Sequence, residues 1–178
     1  MKKRTTMLAL LLATGAGTCL QAQEKLTQFK VRDAITVRTP IMNDSINPKG
    51  EKYADKDLLK TPVVLDLADA PFQVLSTDTA GVLSFPKAEK DHSIYLLETS
   101  LRAERFMTGK LKVTSPARWE IFINGESKMS KENAEDSISG ASTREVNLRL
   151  EPEADYEITI KLLSGSKDKA APVSYTHL

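Results

Sequence analysis

Arg118-Trp119-Glu120-Ile121-Phe122-Ile123-Asn124-Gly125-Glu126 decides the fold. Trp119, Ile121 and Ile123 share one parity while Phe122 alone is apolar on the other, which is the two-residue period of a half-buried strand. Asn124-Gly125 then tolerates positive φ at both positions, as a primed hairpin turn requires. A hairpin returning through Glu126 to Met129 is predicted.

The same period extends in both directions. Upstream, Tyr95, Leu97, Thr99, Leu101 and Ala103 make one apolar-leaning face of a strand over Ile94 to Arg105, with Glu98, Arg102 and Glu104 opposite. After Thr108-Gly109 the alternation resumes at Leu111 and Val113, and Ser115-Pro116 ends it. Downstream, Ser130 to Thr143 is polar and reads as a long connection. Val146, Leu148 and Leu150 then face one way, the acidic stretch Glu151 to Asp155 turns the chain, and Tyr156, Ile158, Ile160 and Leu162 form the last clear strand. Pro62 to Leu67, Phe72 to Ser76 and Gly81 to Phe85 are shorter β-prone runs. In the stretch 24–60 only Ala34 to Val37 is β-prone, so it reads as an extended arm or linker.

About eight short strands with close turn signals and no intervening helices predict an all-β fold, an antiparallel β-sandwich of jelly-roll type. Its expected core is Leu97, Leu101, Leu111, Val113, Trp119, Ile121, Ile123, Val146, Leu148, Leu150, Ile158 and Ile160. The domain reading is 1–22 signal peptide, 23–60 arm, 61–165 sandwich, and 166–178 a linker with a foreign tail.

The start reads as an export address. Lys2, Lys3 and Arg4 precede the apolar run Met7 to Ala13, and Leu20-Gln21-Ala22 offers a small residue before Gln23, so cleavage is expected between Ala22 and Gln23. A lipoprotein signal on Cys19 is the rival, and the residues before the thiol, Ala16-Gly17-Thr18, suit it poorly. The expected destination is the periplasm or the extracellular space. Cys19 is the only cysteine, so the mature chain would have no disulfide and would rely on packing.

Composition excludes several classes of function. Lys and Arg total 25 against 24 Asp and Glu, too balanced for a basic nucleic-acid binder, and no stretch of ~20 apolar residues marks a membrane span. Two histidines, His92 and His177, are too few for an ordinary zinc site. There is no nucleophile elbow, phosphate loop or zinc-protease motif. The carboxylates of Glu151, Glu153 and Asp155, and of Glu132, Glu135 and Asp136, lack the spacing of a calcium loop and read as solvated turn charge. No catalytic, metal or cofactor residue is assigned, and no cofactor is expected. Two aromatics remain as a candidate contact surface: Trp119, whose parity with Ile121 favours the core, and Phe122, which faces away from it.

The 118–126 hairpin, followed by Val146-Asn147-Leu148-Arg149-Leu150-Glu151-Pro152 and Tyr156-Glu157-Ile158-Thr159-Ile160-Lys161, is similar to galactose-binding-like jelly rolls over roughly residues 61–165. The resemblance implies an accessory module at the amino end of an exported hydrolase, one that binds sugar or braces a catalytic domain. A narrower likeness rests on Phe72 to Phe85, Ile94 to Thr99, Gly109 to Pro116 and Tyr156 to Ser164. These resemble the leading region of secreted prolyl-oligopeptidase-class serine peptidases of Bacteroidetes, whose catalytic residues would lie downstream. The tail Val173-Ser174-Tyr175-Thr176-His177-Leu178 resembles translated sequencing-adapter read-through, which would make the chain a fragment.

The function expected from these readings is a non-catalytic β-sandwich supporting the catalytic domain of a larger exported hydrolase, with downstream domains of the same chain as its partners. The alternatives are a carbohydrate-binding module with a glycan as partner, and a free-standing secreted adhesin-like domain.

Overall fold

A computed structural model describes residues 26–33, 35–36, 46, 49–51, 54–63, 71–84, 92–136, 140–164 and 173–177. The export signal, with Ala22 and Gln23, lies outside the described residues, as do 37–45 and shorter pieces of the arm and 64–67 of the run predicted from Pro62. Among the described residues the strands are β1 (Gln28–Arg32), β2 (Ile35–Thr36), β3 (Phe72–Ser76), β4 (Val82–Leu83), β5 (Ser93–Arg102), β6 (Met107–Thr114), β7 (Arg118–Ile123), β8 (Glu126–Lys131), β9 (Thr143–Leu150), β10 (Asp155–Ser164) and β11 (Val173–His177), with one short helix, α1 (Asp55–Leu59).

They form two antiparallel sheets. The larger runs β3-β1-β5-β10-β7-β8, with β2 joined to β5, and the smaller runs β4-β11-β6-β9. This is the predicted all-β sandwich. All twelve expected core residues meet in one cluster between the sheets, Leu101 at its margin and Trp119 and Ile121 fully buried. Each buried aliphatic there is worth roughly 1.5–3 kcal/mol relative to exposure.

Asn124 and Gly125 occupy the predicted turn with φ of 50° and 76°. The hairpin they close runs to Lys131, two residues further than expected, and a bulge between Ile121 and Phe122 shifts its register. Thr108 and Gly109, read as a break, are paired within β6 opposite Arg149 and Leu148.

Two features depart from the sequence reading. The stretch expected to be an arm supplies β1, an inner strand between β3 and β5 whose Phe29 and Val31 enter the main core. With only two inward side chains inside Gln28-Phe29-Lys30-Val31-Arg32, its alternation is too short to stand out. Second, β5 opens with apolar residues on both faces. Tyr95 and Leu97 point to the main core, while Ile94 and Leu96 join Leu163 on the outer face beneath Leu58 and Leu59 of α1. A strand covered on both sides loses its polar alternation. The closing run, Val173–His177, pairs as β11 between β4 and β6.

The polar connection after β8 is fastened by one buried cation. Lys131, 2% exposed, donates to the Ser115 carbonyl and to Glu135 Oε2, each at 2.6 Å. Glu135 in turn accepts from the backbone N–H and hydroxyl of Ser142 at 3.1 and 2.9 Å.

Candidate functional site

Because Phe29, Val31, Leu97, Ile121, Ile158 and Ile160 point inward, their strand neighbours line the outer face of the larger sheet. Pairing fixes how those neighbours align. Val74 pairs with Lys30, Lys30 with Glu98, Glu98 with Thr159, and Thr159 with Phe122. One transverse row therefore crosses five strands as aliphatic, ammonium, carboxylate, hydroxyl and aromatic side chains.

The next row towards α1 brings Arg32 beside Phe72, and Lys161 beside Leu96 and Glu120. Arg32, 8% exposed, grips Glu98 with both prongs of its guanidinium, Nε at 2.8 Å and Nη2 at 3.2 Å. Such a bidentate pair is rigid as well as strong. Lys161, 3% exposed, donates to the Thr61 carbonyl at 2.6 Å and lies 3.9 Å from Glu120. Burial holds its ammonium below the usual lysine range, partly opposed by the Glu120 charge. Helix α1 and the chain after it thus cover this end of the face.

The other end is open. A groove of about 690 Å³ lies over Lys30, Arg32, Glu98, Ser100, Glu157 and Thr159, with Val74 at one margin and Asn124 and Gly125 at the other. The hairpin tip is fixed against this groove. Asn124 donates its backbone N–H to the Glu157 carbonyl at 2.9 Å, and its side-chain oxygen accepts the Glu157 N–H at 2.8 Å. Phe72, 45% exposed, carries the Lys30 ammonium 5.0 Å from its ring centre. The groove therefore combines fixed charged donors and acceptors, hydroxyls and flanking apolar side chains, a set suited to holding a polar ligand.

The predicted site residues separate here. Trp119, carried as a contact candidate, is 0% exposed inside the sandwich and presents no surface. Phe122 is half-buried on the outer face, at the end of the transverse row. Asn124 and Gly125 border the groove. His92 stands just before β5 with a φ of 49°. Glu151 pairs with Arg149 at 3.4 Å, and Glu153 and Asp155 with Arg102, so the acidic turn is bound up in ion pairs. Among the described residues no group of three His, Cys, Asp or Glu side chains could hold a metal ion, and no helix is long and apolar enough to cross a membrane. Sequence reasoning passed over Arg32, Ser100 and Thr159, and took Glu98 as an ordinary outward charge. Charged and hydroxyl residues at mid-strand were the available signal; their convergence depends on register.

No family model matches the chain, and no curated protein matches it. Among solved structures, it is similar to a β-glucosidase from Kluyveromyces marxianus in complex with glucose, with 14% identity and a TM-score of 0.47, over 64% of this chain and 14% of that one. The chain thus spans a small part of that enzyme's length. It is also similar to the PA14 sugar-binding domain of an RTX adhesin, with 10% identity and a TM-score of 0.45, over 85% of this chain and 89% of that one. A third likeness is to the epithelial adhesin 9 A domain of Candida glabrata in complex with Galβ1-3GlcNAc, with 6% identity and a TM-score of 0.40, over 89% and 84%. These are loose likenesses of outline, and the ligands belong to those proteins.

Proposed function

We propose that the chain is a non-catalytic carbohydrate-binding sandwich and that the groove on the outer face of its larger sheet is the binding site. The observation that carries this reading is the buried Arg32–Glu98 fork flanked by the Thr159 and Ser100 hydroxyls in one open groove. A sugar presents hydroxyls that both donate and accept, and a fixed guanidinium–carboxylate pair answers both roles without reorganising. The role proposed for the groove is to hold a ligand, with the Glu98 carboxylate engaged by Arg32. As an accessory part of a larger exported hydrolase, such a module would contribute attachment to the polymer, and a glycan-degrading parent suits this groove better than a peptidase.

The test is binding of the full chain to a glycan array, repeated with Thr159→Val and Ser100→Ala. Loss of signal in both variants, with circular dichroism and melting unchanged, supports the assignment. Binding that survives both, or a wild-type protein that captures no glycan, overturns it.

A further inference from the structure

We infer that the groove takes a linear, uncharged glycan lying across the strands, about three or four sugar rings of it in contact. This rests on the carbohydrate-binding reading and specifies its ligand. The direction comes from register. Val74, Lys30, Glu98, Thr159 and Phe122 form one row over five adjacent strands, so the polar floor runs perpendicular to the strands.

The length follows from the spacing. From β3 to β7 there are four inter-strand steps, and at about 4.8 Å each they span roughly 19 Å. The row ends on apolar side chains, Val74, 58% exposed, on β3 and the half-buried Phe122 on β7 just beyond the groove's own lining, with Phe72, 45% exposed, one row along β3 from Val74. Between them lie the hydrogen-bonding groups. A single ring could meet the floor or one end, whereas only a chain of rings reaches both ends.

The ligand's charge follows from the lining. Lys30 and Arg32 are balanced by Glu98 and Glu157, and Arg102 at the rim is taken up by Glu153 and Asp155. A groove without surplus charge gives an acidic polymer no electrostatic advantage.

The experiment is isothermal titration of the full chain with mono- to hexasaccharides of β-1,4-linked glucose, xylose, mannose and galactose, and with oligogalacturonates. In a neutral series that binds, affinity should rise on the order of tenfold or more between one ring and four and then level off. Phe72→Ala and Phe122→Ala should each lose about tenfold on the tetrasaccharide while leaving the disaccharide unchanged. A monosaccharide that binds as tightly as the tetrasaccharide overturns this inference but leaves the carbohydrate reading standing. Tighter binding of an oligogalacturonate overturns the uncharged-ligand assignment. No binding by any sugar, with the protein folded, removes both.

Discussion

Asn124 holds Glu157 by both of its backbone polar groups, accepting the Glu157 N–H on its side-chain oxygen at 2.8 Å and donating its own N–H to the Glu157 carbonyl at 2.9 Å. The residue that makes the hairpin turn possible also fastens the hairpin to β10. Asn124→Gly keeps the positive φ and loses only the side-chain bond, at a cost of about 1 kcal/mol. Asn124→Val loses that bond and adds backbone strain, so about 2–4 kcal/mol is expected. Urea denaturation of the two variants checks this order; equal costs would show that the turn conformation carries no penalty.

Ile121 is fully buried at the centre of the main core. A carboxylate placed there has no cation to meet, so Ile121→Asp should cost more than about 4 kcal/mol and abolish the cooperative melt. A soluble variant with a sharp thermal transition would contradict the core assignment.

Phe29 tests whether the amino-terminal strand belongs to the domain. Its ring is 1% exposed in the main core, and Phe29→Ala should lower stability by about 3–5 kcal/mol in a denaturant titration. A removable arm would show almost no loss.

These three positions also show what could be read from the chain alone. Alternation identified β5, β6, β7, β9 and β10, together with the twelve residues expected in the sandwich interior, all of which lie in the main cluster. Asn124 was legible because its turn chemistry is local. Phe29 was not, since five residues bearing two inward side chains make a weak pattern. Helix α1 was equally hidden: it is five residues long and is held by Leu58 and Leu59 packing on Ile94, Leu96 and Leu163. The groove lies furthest from the sequence. Lys30, Glu98 and Thr159 come from three distant segments, and a one-residue slip of any strand would turn its member of the row into the interior.

The Lys131–Glu135–Ser142 fastening predicts acid sensitivity. Burial pushes the Glu135 carboxyl up, but hydrogen bonds from Lys131 and Ser142 and the Lys131 charge bring it below its ordinary value of 4.5. The folded state thus favours the ionised form. Its contribution to stability is complete above the ordinary value and is lost as pH falls through the lowered folded one. Glu135→Gln should flatten the fall in melting temperature on acidification below about pH 5 relative to the wild type. Identical acid profiles would mean that the clasp adds nothing.

Lys161 gives the opposite dependence at high pH. Because burial lowers its folded value below the ordinary 10.5, the unfolded chain binds more protons between those two values, and stability gains from this group as pH rises through that window. Lys161→Met should remove that alkaline gain, as read from denaturation midpoints on the alkaline side up to the ordinary 10.5. An unchanged slope would assign the dependence to other groups.

Trp119 is the chain's only tryptophan, is sealed between the two sheets, and has an indole N–H with no hydrogen-bond partner among the described residues. The molecule therefore carries an intrinsic fluorophore at the seam that must part when the layers separate. Its emission should shift to the red on unfolding and stay put when ligand fills the outer groove, so a single optical signal distinguishes denaturation from occupancy without an added label.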